Sequence, residues 1–256
     1  LPHAANPGIV PRMSDQSNQQ TLQVRIVPVT PLQQNCSLIW DTATRHAAFV
    51  DPGGDIDRLM GALAHFGLTL KRIWLTHGHL DHAGAAAELR ERTGVAVEGP
   101  HRDDQFWLDQ IEDSARRYGL SGARNVTPDR YLEEGDVLEL EGTAFEVLHT
   151  PGHTPGHVVI FNREVRIAFV GDVLFAGSIG RTDFPRGNHQ QLIDSITGKL
   201  WPLGDDITFV PGHGPTSTFG NERRSNPFVA DSLTGYAGAA KVAPNLADQK
   251  TSKRYT

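Results

Sequence analysis

The sequence predicts an α+β domain from three observations. Short apolar runs suited to strands recur along the chain, helix-spaced apolar positions separate some of them, and histidines and aspartates with metal-binding character follow directly on strand-like runs. Strand-like alternation comes first at Leu22 to Val29 and Cys36 to Trp40, then at Ala47 to Val50, which runs into the turn Asp51-Pro52-Gly53-Gly54. A helix should follow, because Ile56, Leu59, Met60, Leu63 and Phe66 recur at helical spacing, with Met60 a packing residue. After the apolar run Ile73-Trp74-Leu75, a second helix is expected to open near His82 or Ala83, pass Ala87, Leu89 and Arg90, and end by Gly94. Asp81 then falls at the N-cap, Ala83, Gly84 and Ala85 allow close approach to a sheet, and the helix dipole favours an ionised Asp81. His101 to Gly119 reads as an inserted helix offering Phe106, Trp107, Ile111 and Tyr118 as packing residues or as an aromatic wall for an acyl group. Gly135-Asp136 and Glu141-Gly142 read as turns flanking the strand Val137 to Leu140. Further runs occupy Phe145 to Leu148, Ile167 to Val170 and Ile207 to Val210, with Gln190 to Leu200 as the last core helix.

The most concentrated chemistry is Thr76-His77-Gly78-His79-Leu80-Asp81-His82, with three imidazoles and a carboxylate in six positions. Neutral imidazole is the most frequent metal ligand and Asp oxygen also suits zinc, whereas such a cluster would be hard to satisfy in a plain core. A solvated His-rich turn is the bland alternative. Against it stand His153 in Thr150-Pro151-Gly152-His153-Thr154-Pro155-Gly156-His157, Asp172 in Val170-Gly171-Asp172, and His213 in Val210-Pro211-Gly212-His213-Gly214. Each follows a strand-like run and has Gly or Pro nearby for a tight turn, so the ordered set points to a metal site where strands end and loops begin.

The order HxHxDH, PGHTPGH, GD, PGHG resembles the metallo-β-lactamase superfamily, and within it the glyoxalase II-like hydrolases. Gly180-Arg181-Thr182-Asp183-Phe184-Pro185-Arg186-Gly187, together with Asn221-Glu222-Arg223 and Asn226-Pro227-Phe228, resembles the small single-domain bacterial branch. The resemblance spans about Leu22 to Val229 and implies a four-layer αββα sandwich with two metals at one edge of the sheets. It also implies His77, His79 and His153 on one metal, Asp81, His82 and His213 on the other, and Asp172 bridging both. Zinc is the leading metal, with iron or manganese as alternatives, and two divalent ions with two carboxylates and a shared hydroxide would leave a net charge of about +1. The implied activity is hydrolysis of a glutathione-linked thioester such as S-D-lactoylglutathione by that hydroxide, with Asp81 and Asp172 as the catalytic carboxylates. Arg181 aligns with a family lysine that contacts glutathione, a surface-loop role being the other reading. His157 is expected to brace a ligand loop by donating a hydrogen bond.

Departures from the longer glyoxalase II enzymes are plain. The chain after Phe228 is too short and too Gly/Ala-rich for their C-terminal helical domain, and Gly214-Pro215-Thr216 stands where they carry a tyrosine. Alternatives implied by the same superfamily are a mononuclear-iron persulfide dioxygenase, which shares HxHxDH and a GRTDF-like loop, promiscuous β-lactam hydrolysis, and a non-catalytic metal-binding protein. The intact ligand set disfavours the last, and the bridging position Asp172 separates the chain from true β-lactamases. His149 and His189 are expected near the cleft, whereas His3, His46, His65 and His101 have no motif behind them.

At 256 residues and 38% hydrophobic composition, the chain suits one catalytic domain over 21–229, because the motifs are scattered across most of it. Residues 1–20 read as a disordered leader or tag with Met13 as a natural start, and 230–256 as a loose tail. The single cysteine, Cys36, rules out an intramolecular disulfide and fits a reducing, cytoplasmic compartment. A net charge of −6 without a basic stripe argues against nucleic acid, and no apolar run reaches the roughly 18 residues of a membrane span. Oligomeric state is left open.

Overall fold

The computed structural model describes residues 22–235. One sheet holds β1 (Leu22–Val29), β2 (Gln34–Asp41), β3 (His46–Val50), β4 (Thr69–Trp74) and β5 (Val97–Glu98) in that spatial order. The other is built from β6 (Val137–Leu140), β7 (Thr143–His149), β8 (Val158–Asn162), β9 (Ile167–Gly171), β12 (Thr208–Pro211) and β13 (Ser217–Thr218), in the order β13-β12-β9-β8-β7-β6. Between β9 and β12, β10 (Leu174–Phe175) and β11 (Ser178–Ile179) form a separate two-stranded ribbon.

Alternation within single strands creates the layers, because successive side chains point to opposite faces. Cys36, Leu38 and Trp40 of β2, with Ala47 and Phe49 of β3, pack outward beneath the helices α1 (Ile56–Phe66) and α3 (Ala86–Thr93). Their neighbours Ile39, Ala48 and Val50 face inward with Trp74, meeting Phe145, Val147, Val158, Ile160 and Phe169 of the second sheet. Val159, Phe161, Ala168 and Phe209 face the far side, against α6 (His189–Ser195) and α7 (Phe219–Ser225). Three apolar layers therefore separate four structural ones, the αββα sandwich that the family resemblance implied. Each fully buried Phe or Leu contributes about 1.5–3 kcal/mol to holding them.

Several helices depart from expectation. The second opens earlier, as α2 (Leu80–Ala83), with His79 and not Asp81 at the N-cap, so Asp81 lies in the first turn. It is also split from α3, because the Ala85 amide donates to the Pro52 carbonyl of the β3–α1 turn. The inserted segment is not one helix: a 3-10 turn at Arg102–Asp104 leads into α4 (Gln105–Leu108) and then α5 (Ile111–Tyr118). A break at Asp109 and Gln110 forms where the Gln110 amide bonds to Trp107 in a tighter i−3 turn. The last core helix likewise changes pitch, from α6 into a π-helical turn at Ile196–Leu200.

Cys36 is buried in β2, where burial, then the charge of Asp51, pushes its thiol up, so it is a core residue. The expected leader 1–20 lies outside the described residues. Beyond 229 the chain still forms α8 (Asp231–Thr234), tied to α7 by a two-pronged Arg223–Asp231 pair. No helix among the described residues is long and apolar enough to cross a membrane.

Candidate metal centre

Five strand ends converge on one edge of the sandwich. β3 runs parallel to β4, and β12 parallel to β9, while β7 and β9 both run antiparallel to β8, so the chemistry-bearing segments leave the C-terminal ends of their strands together. β4 delivers His77, His79, Asp81 and His82; β7 delivers His153; β9 delivers Asp172; β12 delivers His213.

The two expected groups form there, His77 with His79 and His153, and Asp81 with His82 and His213, and a third, Asp51 with His77 and His82, overlaps both; within each, the potential ligand atoms lie within 4.8 Å of one another. His79 Nδ1 is 3.1 Å from His153 Nε2, and Asp81 Oδ2 is 3.1 Å from His213 Nε2. Asp172 stands between the groups, with Oδ1 3.3 Å from His82 Nε2 and Oδ2 3.6 Å from His153 Nε2 and 3.9 Å from His213 Nε2. All seven residues singled out from the motifs are therefore brought together.

The backs of the rings fix which nitrogen faces inward. His82 Nδ1 donates to Asp51 Oδ2 at 2.9 Å. The Thr76 hydroxyl donates to the same carboxylate and so accepts from His77 Nδ1 at 3.1 Å. His153 Nδ1 donates to the Arg181 carbonyl at 2.7 Å. Each ring keeps its Nε2 lone pair for the centre, the arrangement by which outer hydrogen bonds orient metal-binding imidazoles. His77 Nε2, His82 Nε2 and Asp172 Oδ1 are buried there without a hydrogen-bond partner. Buried polar atoms are rarely left so; here they belong to a set of imidazoles and carboxylates with the donor chemistry to hold a cation.

Electrostatics agree. Burial, then the neighbouring His82, pushes His77 well down, and burial with His153 pushes His79 down to about 3, so both are neutral lone-pair donors. Burial alone would raise Asp172, but His82 outweighs it and holds that carboxyl far below the usual range. Burial would depress His82, yet Asp172 and Asp81 hold it well up. The carboxylates around His82 thus outweigh its burial, and the pocket carries an excess of negative charge that favours a cation. The donor set of imidazoles and carboxylates fits zinc, iron or manganese.

Other expectations resolve differently. His157 accepts at Nε2 from the Asp172 amide at 3.1 Å, where a donor was expected, and its ring stacks on His77 at 4.7 Å. Arg181 lines the cleft, but its guanidinium is already paired two-pronged with Asp183, at 2.9 Å for each bond. His149, the last residue of β7, stacks on His101 at 4.3 Å and bonds to the Pro155 carbonyl, and neither it nor His189, which opens α6, lines the cleft. Of the apolar and aromatic residues in the inserted segment, Ile111 is core, while Trp107 and Tyr118 line the cleft, the Trp107 ring edge-on to His79 at 4.6 Å. The cleft over the centre has a volume of about 850 Å³.

Sequence reasoning missed the supports. Asp51, read only as a turn residue, is the buried carboxylate behind His82, held at φ +56° by its bonds to Thr76. Asn35 stitches β2 to the His213 loop through the Pro211 and Gly214 carbonyls at 3.1 and 2.8 Å. Asp104 accepts from the Gly78 amide, between two of the candidate ligand histidines. Only Asp51 carried a sequence cue, as an acidic residue at a strand end facing the ligand cluster.

Residues 29–213 match the family description "Metallo-beta-lactamase superfamily". The chain is 50% identical over 209 residues to the hydroxyacylglutathione hydrolase GloC of Haemophilus influenzae, covering 81% of this chain and 98% of that protein. Among solved structures, BLEG-1 B3 metallo-β-lactamase superposes with a TM-score of 0.75 at 36% identity, covering 81% of this chain and 99% of that one. TTHA1623 in a di-iron-bound form gives 0.73 at 38% identity, covering 80% and 100%. With this fold, this order of motifs and this depth of similarity, the chain belongs to the metallo-β-lactamase superfamily.

Proposed function

We propose that the chain is a dinuclear metallohydrolase of thioesters, acting on hydroxyacylglutathione substrates of the S-D-lactoylglutathione type. The observation that carries this reading is the placement of Asp172, whose two oxygens face the His153 side and the His82 side of one centre. His77, His79 and His153 would hold one divalent ion, Asp81, His82 and His213 the other, and Asp172 both. When bound, two such ions supply the Lewis acidity that brings water to its nucleophilic form near pH 7 and polarises a carbonyl.

The chain's own residues supply position and enclosure. Asp51, Thr76 and the Arg181 carbonyl fix the imidazoles, while Trp107, Phe175, Ile179 and Phe184 give the cleft an apolar wall for an acyl chain. A departing thiolate, whose conjugate acid has a pKa of about 8.5, needs no proton donor, so thioester cleavage asks least of this site. The 50% identity to a hydroxyacylglutathione hydrolase supports the glutathione-linked class. A reducing cytoplasm suits both that substrate and the free thiol of Cys36. Zinc leads as the metal, with iron the main competitor because a 38% identical structure is di-iron-bound.

Metal quantification paired with turnover of S-D-lactoylglutathione tests the reading. About two ions per chain with thioester hydrolysis are expected. One iron per chain with oxygen uptake on glutathione persulfide would replace it with the dioxygenase, and turnover of a β-lactam in preference to the thioester would replace it with the activity that BLEG-1 B3 metallo-β-lactamase is named for.

A further inference from the structure

Asp104 opens α4 in the inserted segment and is wholly buried. An ionisable group so placed is costly unless its oxygens are satisfied. Its Oδ2 accepts from the Gly78 amide at 2.9 Å and from the Thr154 hydroxyl at 2.7 Å, and its Oδ1 accepts from the Gly156 amide at 2.6 Å. Gly78 lies between His77 and His79, Thr154 follows His153 directly, and Gly156 precedes His157. One carboxylate therefore ties together the two loops that carry the three-histidine group, although those loops are some 75 residues apart in the chain.

The glycines make this approach possible. A Cβ on Gly156 would lie 2.5 Å from the Asp104 amide nitrogen and 2.8 Å from its Cβ, and one on Gly78 would lie 2.9 Å from the Asp104 carbonyl oxygen. The other group is held by different contacts: His82 by Asp51, and the His213 loop by Asn35. The three bonds that Asp104 accepts reach none of Asp81, His82 or His213.

We propose that Asp104 is a positioning residue that selectively sets metal affinity at the His77, His79 and His153 half of the centre, so that the inserted segment acts as a brace and not only as a cleft wall. This rests on reading the seven side chains as a two-ion centre. A carboxylate holding both loops from behind keeps the three lone pairs aimed at one point before the ion arrives. Without it, each ion must offset the cost of ordering the loops, and outer contacts of this kind are typically worth about 10- to 100-fold in metal affinity.

Zinc affinity is measured on the full chain by equilibrium competition with a chromophoric chelator. Asp104→Asn is placed in a His213→Ala background, which keeps the three-histidine group whole, and in a His153→Ala background, which does not. A 10- to 100-fold weakening is expected in the first background and less than about twofold in the second. Thr154→Val, which removes one of the three bonds and preserves side-chain volume, should weaken the same step by about 10-fold and keeps the test open if the Asp104 variant does not fold. Equal weakening in both backgrounds, or none in either, overturns the assignment. Wild-type protein binding fewer than two zinc ions would instead overturn the two-ion reading, a result obtained before any variant is made.

Discussion

Residue by residue, the centre is built from rings whose protonation is fixed by what lies behind them, and His157 shows the cost. It is fully buried, accepts the Asp172 amide at Nε2, and reaches the Thr150 hydroxyl with Nδ1 at 3.3 Å, an arrangement open only to the neutral ring. Burial, then the nearby His153, holds its pKa well below that of an exposed histidine. In the unfolded chain the same ring binds a proton below about 6.5, so the unfolded state gains protons first and stability falls as pH drops below that value, by up to about 1.4 kcal/mol per pH unit. Above it, this group contributes no slope. His157→Gln, which preserves an acceptor, should make urea denaturation less steeply pH-dependent between pH 6.5 and 5 by about one proton; an unaltered slope rejects the assignment. Arg181 presents the opposite case, an exposed cation whose pair with Asp183 is screened by solvent, which leaves the guanidinium open to exchange for another anionic group. Arg181→Ala should raise KM for an anionic thioester by roughly 3- to 10-fold with kcat nearly constant, and Asp183→Ala should lower KM. Steady-state kinetics that show no change in KM for either variant remove Arg181 from substrate binding.

At the scale of elements, the centre depends on loops packed against helices at distances only glycine permits. Gly152 of the His153 loop has φ +141°, and a Cβ there would collide with the Leu192 backbone of α6. The same contact is fastened by the Asn188 amide on the Gly152 carbonyl at 2.8 Å and the Ser195 hydroxyl on the Pro151 carbonyl at 2.8 Å. Gly152→Ala should therefore cost about 1–3 kcal/mol and lower Tm, whereas Gly198→Ala, with open space around its Cβ, should not. Melting curves that leave both variants at the wild-type Tm would show that the loop does not need this approach. Which elements were legible in the sequence follows from the range of the forces that make them. β1 is found over the residues its alternation predicts, Leu22–Val29, and the seven candidate ligands that the fold brings together stood out because they lie in short strings at strand ends. The inserted segment was not, since Asp103 and Asp104 are adjacent and chemically alike, yet one is exposed and the other buried. Only the return of chain 26 and 50 residues away, at Gly78 and Thr154, distinguishes them. The split between α2 and α3 is equally non-local, because it is made by Pro52 and not by any residue of the helix.

For the molecule as a whole, the two sheets meet over an apolar layer, and the candidate ligands are divided between them: His77, His79, Asp81 and His82 follow the first sheet's β4, while His153, Asp172 and His213 come from the second. Each proposed ion takes ligands from both sides, so binding fastens one half of the sandwich to the other and must favour the folded chain over the unfolded one. The linkage is quantitative: an ion present at a thousand times its Kd stabilises by about 4.1 kcal/mol, provided it ignores the unfolded state. In a domain of this size 1 kcal/mol moves Tm by roughly 2–4 °C, so one saturated site should be worth roughly 8–16 °C and two sites more. Stripping the protein with a chelator should lower Tm by at least that much, and restoring zinc should bring it back in proportion to the logarithm of free zinc. A single-step rise that saturates at one ion per chain would leave one half of the centre without a structural role, and a Tm indifferent to chelation would mean that the seven side chains do not span the sheets through metal at all.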